Sequence, residues 1–251
     1  QPPGKRLQKC EEAAMTKDLH GGAVSLDFRA DEQGRSRPLT ASIERLIIAG
    51  WTGRDVAAME AHIAELEAIG VKRPKATPLF YRVAASLLTT APVIEVAGTA
   101  SSGEVEPVVV SLADVLWIGV GSDHTDRELE TVGVTLSKQL CAKPVAPQLW
   151  RYAEVEDHWD RLVLRSHAIQ GGKRRLYQEG PVAALRPPRE LMSRYRPGTD
   201  ILPPGSVMFC GTLAVMGGIA AAERFEIELE DPVLQRRLRH GYDIAPLPIE
   251  G

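Results

Sequence analysis

Four consecutive strand-like segments, PLFYRVAASLL, APVIEVAG, VEPVVVS and DVLWIGVG, fill residues 78–122. They are rich in Val, Ile and aromatic residues and are punctuated by Gly, Pro and Ser, which commits the middle of the chain to a sheet. A sheet has to bury at least one face, and little here can cover it as helix. TGRDVAAMEAHIAELEAIG (52–70) is the clearest helix, with Thr52 or Asp55 to cap it and Gly70 to end it. PPRELMSRY predicts a short helix, VEDHW (155–159) another, and residues 126–141 a helical or turn-rich link. AVSLDFRA (23–30) alternates, and LTASIERLIIAG reads as its hairpin partner after the turn-rich DEQGRSRP. LVLRSHAIQGGKRRLYQEG predicts a hairpin over Gly171–Gly172, GSVMFCGTL (205–213) a buried strand, and RFEIELEDPVLQRRLRHGYDIAPL a closing hairpin. The expected class is mostly β with few helices (α+β), a mixed β-roll or sandwich rather than a doubly wound sheet.

At 251 residues, 44% apolar, the chain has material for one sizeable core, read as a single domain over 23–251 behind a flexible arm over 1–22. Lys and Arg are dispersed around a net charge of −3, which argues against a nucleic-acid footprint. No apolar run reaches bilayer length, and the first residues lack the apolar stretch of a secretory signal. Cys10, Cys141 and Cys210 have no CxxC spacing, so a reducing, cytoplasmic setting is expected, with Cys210 a core thiol. Met15 is either a start preceded by an extension or an internal methionine.

Glu104 and Glu106 stand one residue apart where side chains alternate, so both carboxylates face one side of an extended chain. Two negative charges so placed call for a cation or for water. Asp123 follows the next strand at a Gly-rich turn and supplies a third hard oxygen donor, a set suited to Mg²⁺ or Mn²⁺. A solvated strand face is the plain alternative. In the 52–70 helix His62 and Glu65 are three apart and share a face, an arrangement that orients an imidazole and raises its basicity. Surface pairs of this kind are also common. His124, beside Asp123, reads as a turn histidine bonded to backbone; Trp117 and Phe209 read as core. Glu226, Glu228 and Glu230 alternate and should form one solvated face opposite the basic QRRLRH.

Over roughly residues 45–215 these patterns, in this order, resemble the fumarylacetoacetate hydrolase superfamily, and within it a bacterial branch classed as a domain of unknown function. Gly50 to Gly53 precede the helical His62-x-x-Glu65; Phe80-Tyr81-Arg82 stands where the family more often carries Lys; Glu104-Val105-Glu106 and Asp123 through Arg127 follow. Lys138 then leads to Pro144-Val145, and Gly205 to Gly211-Thr212. The link from Asp123 to Lys138 is short for the family, and Leu213-Ala214 replaces the usual G-T-P-x-G continuation.

The resemblance implies a β-roll homodimer in which Glu104, Glu106 and Asp123 hold one Mg²⁺ or Mn²⁺. It further implies that His62, Glu65 and Lys138 are catalytic and that Arg82, Gly211 and Thr212 bind a small carboxylic acid. The implied activity is carbon–carbon hydrolysis of an oxo-acid or diketo-acid through a metal-stabilised enolate. Decarboxylase, hydratase or tautomerase chemistry and a silent acid-binding dimer are the alternatives.

Overall fold

The structure, a computed structural model, describes residues 22–68 and 73–250, with the side chains of Ala61, His62, Glu65, Leu66 and Ala68 outside the described set. The arm read over 1–22, Gly22 excepted, and the helix-ending Gly70 lie outside the described residues. In chain order the strands are β1 (Val24–Glu32), β2 (Arg35–Ile43), β3 (Arg45–Gly50), β4 (Leu79–Val83), β5 (Leu88–Thr89), β6 (Val93–Ala97), β7 (Ser101–Ser102), β8 (Val105–Leu112) and β9 (Val115–Ser122). They continue with β10 (Thr125–Asp126), β11 (Lys143–Pro144), β12 (Gln148–Arg151), β13 (Val163–Gln170), β14 (Lys173–Pro181), β15 (Ser206–Phe209), β16 (Arg224–Asp231) and β17 (Arg236–Leu247). The helices are α1 (Val56–Ala68), α2 (Arg127–Glu130), α3 (Val134–Leu140) and α4 (Pro188–Tyr195). The protein is mostly β, as the strand-rich sequence requires.

An eight-stranded sheet in the order β2-β1-β12-β9-β8-β15-β3-β4 curls around one apolar cluster and packs its other face on a second sheet, β14-β13-β16-β17-β6. Strand β8 shows why both faces are buried. Val108 and Val110 enter the cluster inside the curl, while Val105 and Val109 enter the cluster shared with Leu164, Ile227 and Leu229 of the second sheet. A strand covered on both sides reads as a continuous apolar run, which VEPVVVSL does. The second sheet is one-sided, and its solvent face is the acidic and basic ladder foreseen from the sequence. Glu228 lies opposite Arg239 and Glu230 opposite Arg237, and Arg165 reaches both glutamates from β13.

Two readings are corrected. The first hairpin turns at Gln33–Gly34, both with positive φ, and β2 ends at Ile43; the chain after Glu44 forms a separate strand, β3, between β15 and β4. A two-residue turn with both φ positive matches the strands' own twist, so the hairpin extends to its tightest closure. The buried strand expected to Leu213 ends at Phe209, because Cys210–Leu213 bends away to serve the site described below. The apolar β15 is packed on both faces, Met208 on one side and Val207 and Phe209 on the other.

Candidate metal centre

The β8–β9 hairpin turns at Ala113–Asp114 and opens at the end that carries the acids. Its register pairs Val105 with Ser122 and Glu106 with Gly121, and the Asp123 N–H donates to the Glu104 carbonyl at 2.9 Å. Glu104 and Asp123 therefore face each other across the hairpin, and Glu106 lies diagonal to Asp123 on the same side. The three carboxylates bring one oxygen each within 4.8 Å of one another. Gly121, opposite Glu106, has no room for a side chain, since a Cβ there would meet the Phe209 ring at 2.6 Å.

Cations from the following segment surround this cluster. Lys138, buried on α3, donates to Asp123 Oδ2, lies 3.7 Å from Glu104 and has the Tyr81 ring centroid 5.8 Å away. Arg127 bridges Glu104 at 3.1 Å and Glu130 at 2.9 Å, and its Nε donates to Ser102. Lys143, which sequence reasoning missed, is wholly buried and donates to the carbonyls of His124, Lys138 and Cys141 at 2.6, 2.6 and 2.9 Å. A lysine buried this deeply is found from the fold, since KPVAP alone carries no motif.

The electrostatics follow from who touches whom. Burial and the like charges of Asp123 and Glu104 push the Glu106 carboxyl well above its ordinary value. Burial also works against the Asp123 charge, but Lys138 and Lys143 outweigh it and hold that carboxyl low. Lys138 is held charged against burial by Asp123 and Glu104. For Lys143 burial dominates, and its pKa is lowered despite Asp123. Asp123 Oδ1 is buried and accepts no hydrogen bond, with Lys143 Nζ at 3.3 Å. A buried carboxylate oxygen without a hydrogen bond, beside a carboxyl that resists ionisation, fits a divalent cation with hard oxygen ligands. Glu104, Glu106 and Asp123 would hold it.

The remaining expected site residues fall into three groups. Gly211 and Thr212 reach the cluster but their polar groups are committed within the protein. The Gly211 N–H donates to Glu106 Oε2 at 2.7 Å, and the Thr212 hydroxyl donates to the Val105 carbonyl at 2.8 Å while accepting from Gln178. In these contacts both residues orient β8. Arg82 is exposed and reaches Tyr195 Oη at 3.4 Å; its neighbour Tyr81, on the other face of β4, is the residue turned toward Lys138. The structure does not bring Arg82 to the acids. His62 and Glu65 lie on α1, which Asp55 caps through the Ala58 N–H, and their side chains are outside the described set.

His124 is not bonded to backbone as expected. It is buried, with Nδ1 3.1 Å from Tyr242 Oη and Nε2 2.8 Å from Ser101 Oγ. Tyr242 in turn donates to Ser122 Oγ, which accepts the Glu104 N–H. Burial, then Lys143 and Arg127, push the imidazole down to about 3. Gln178 on β14 completes the support: its amide oxygen accepts from Val105 N and Ser166 Oγ, and its NH₂ donates to Thr212 Oγ1 and the Leu213 carbonyl. Cys141 and Cys210 are buried free thiols, both raised by burial, Cys141 to about 11.

Solved structures share this architecture. Fumarylpyruvate hydrolase from Pseudomonas aeruginosa, in complex with Mn²⁺ and pyruvate, is 17% identical with a TM-score of 0.58, covering 91% of this chain and 100% of that one. A yeast fumarylacetoacetate hydrolase family protein is 17% identical, TM-score 0.56, over 83% and 95% of the two chains. The 5-carboxymethyl-2-hydroxymuconate delta-isomerase from Mycobacterium smegmatis is 16% identical, TM-score 0.56, over 86% and 85%. The fold is thus that of the fumarylacetoacetate hydrolase superfamily, whose members here include hydrolases and isomerases. No curated protein matches the chain. Within that fold the chain belongs to the family described as protein of unknown function (DUF2848), matched over residues 49–242.

Proposed function

We propose that this protein is a divalent-cation-dependent enzyme that hydrolyses a carbon–carbon bond in an oxo-acid or diketo-acid. The observation that carries the reading is the convergence of Glu104, Glu106 and Asp123 within 4.8 Å, with Asp123 Oδ1 left without a hydrogen bond. When bound, Mg²⁺ or Mn²⁺ supplies Lewis acidity to the oxo and carboxylate oxygens of the substrate as the bond breaks. Lys138 keeps a positive charge beside those oxygens. His62, oriented by Glu65 one turn along α1, serves as the base that deprotonates water. Support for placing α1 beside the acids comes from its entry: Thr52, four residues before the helix, packs against Gly211, whose N–H holds Glu106.

The fumarylpyruvate hydrolase with Mn²⁺ and pyruvate favours a substrate with adjacent oxo and carboxylate groups. An isomerase or lyase on the same substrate class is the second reading, favoured by the isomerase neighbour. A cytoplasmic homodimer completes the proposal, in keeping with two buried free thiols; among the described residues no helix is long and apolar enough to cross a membrane. The test is an assay on acylpyruvates with added Mn²⁺, following release of pyruvate. Turnover that disappears in Glu106→Gln supports hydrolysis. Consumption of substrate without pyruvate release favours the isomerase, and inertness toward the whole class contradicts the enzyme reading.

A further inference from the structure

Lys143 makes an unusual set of contacts for a lysine. Its ammonium is wholly buried, and its three nearest oxygens are the backbone carbonyls of His124, Lys138 and Cys141, with Asp123 Oδ1 as a fourth at 3.3 Å. Carbonyls only accept hydrogen bonds, so three such contacts require all three hydrogens of a charged –NH₃⁺. Three carbonyls and a carboxylate are also what a hard cation takes from a protein. The backbone that delivers the stem is fixed independently, by the parallel pairing of Lys143 with Leu88 of β5.

The cage joins both halves of the candidate site. His124 follows the ligand Asp123, and the Lys138 carbonyl belongs to the residue whose ammonium reaches Asp123 and Glu104. We propose that Lys143 is a covalently tethered cation, occupying a cage that would otherwise need a monovalent ion. It is thereby a positioning residue that fixes Asp123 and Lys138 against Glu104 and Glu106. Its role toward the divalent cation rests on the functional reading above; the cage itself does not.

The experiment compares wild type with Lys143→Ala, which opens the cage, and Lys143→Met, which fills it with a neutral chain. Mn²⁺ affinity by calorimetry and melting temperature are read in choline, potassium and ammonium chloride at equal ionic strength. Wild type should behave alike in all three salts. In choline both variants should bind Mn²⁺ about tenfold or more weakly, the size expected for a lost partner of a metal ligand. Ammonium or potassium should restore affinity and raise the melting temperature of the Ala variant and leave the Met variant unchanged. If the Ala variant folds only when ammonium or potassium is present, the cage is supported in the same way. An Ala variant with wild-type affinity in choline, one that no small cation rescues, or one that folds in no salt would overturn the proposal. Ammonium-dependent melting in a protein whose wild type binds no Mn²⁺ would uphold the cage and remove the functional reading.

Discussion

Glu106 takes its orientation from Gly211: the Gly211 N–H donates to Glu106 Oε2 at 2.7 Å from a backbone with φ +98°. That conformation is one L side chains rarely adopt, and a Cβ there would meet Thr52 Oγ1 at 1.7 Å. Glycine at 211 is thus required by strain and by contact together.

Gly211→Ala should therefore destabilise the protein by about 2–6 kcal/mol, adding positive-φ strain to overpacking. Thr52→Ala in the same chain removes Oγ1 and Cγ2 but leaves Cβ at 2.9 Å from the added methyl, so it should recover only part of the packing share and none of the backbone strain. Urea midpoints of the two single variants and the double variant check this. Additive losses would show that Thr52 does not contact residue 211.

Gln178 satisfies four groups with one buried amide, binding the start of β8 to β13 and to the 212–213 segment. Gln178→Ala leaves the Val105 N–H and the Leu213 carbonyl without that partner and should cost about 2–4 kcal/mol. Gln178→Glu turns the donor end into an acceptor facing two oxygens and should be no better. Denaturant titration decides, and a loss within about 0.5 kcal/mol of zero would mean that water replaces the amide.

How much of this was legible beforehand follows from reach along the chain. The acid pair could be read because alternation alone puts Glu104 and Glu106 on one face, and Asp123 because it ends the next strand. The closing hairpins were legible through Gly171–Gly172 and the alternating Glu226, Glu228 and Glu230. Gln178, Tyr242 and Lys143 were not, because each acts on the site from a strand whose pairing or contact spans a long sequence separation or an irregular turn. Tyr81 rather than Arg82 faces Lys138, because neighbouring residues of a strand point to opposite faces. Gly211 and Thr212 were found by motif, yet their polar groups serve β8.

Stability should carry a pH signature from His124. Folded, its pKa is pushed down to about 3, by burial first and then by Lys143 and Arg127. An unfolded histidine titrates near ~6.5, so between those values the unfolded chain binds the extra proton. Stability then falls as pH drops below ~6.5, by up to about 1.4 kcal/mol per unit, until pH reaches the folded value. His124→Gln should reduce the slope between pH 7 and 5, leaving the share of His167 and His240, which burial also lowers. Unfolding midpoints that fall with the same slope in both proteins would assign the effect to other groups.

His62→Ala should lower turnover about 10²–10⁴-fold, as for loss of a general base, and barely change Mn²⁺ affinity, because the acids lie on the β8–β9 hairpin. Glu65→Gln should cost less, since the imidazole keeps a hydrogen-bond acceptor. Rates and calorimetry on the same preparations check both. Wild-type turnover in His62→Ala would leave the α1 pair without a part in the chemistry.

Titration of the chelator-treated protein with Mn²⁺ shows whether Glu104, Glu106 and Asp123 hold one divalent cation. One Mn²⁺ should bind per chain, with release of a proton because the Glu106 carboxyl resists ionisation in the cation-free cluster. Binding should be lost in Glu106→Gln and Asp123→Asn. A wild-type protein that binds no Mn²⁺ at millimolar concentration, or a Glu106→Gln variant that binds it as tightly as wild type, would mean that these three acids hold no divalent cation.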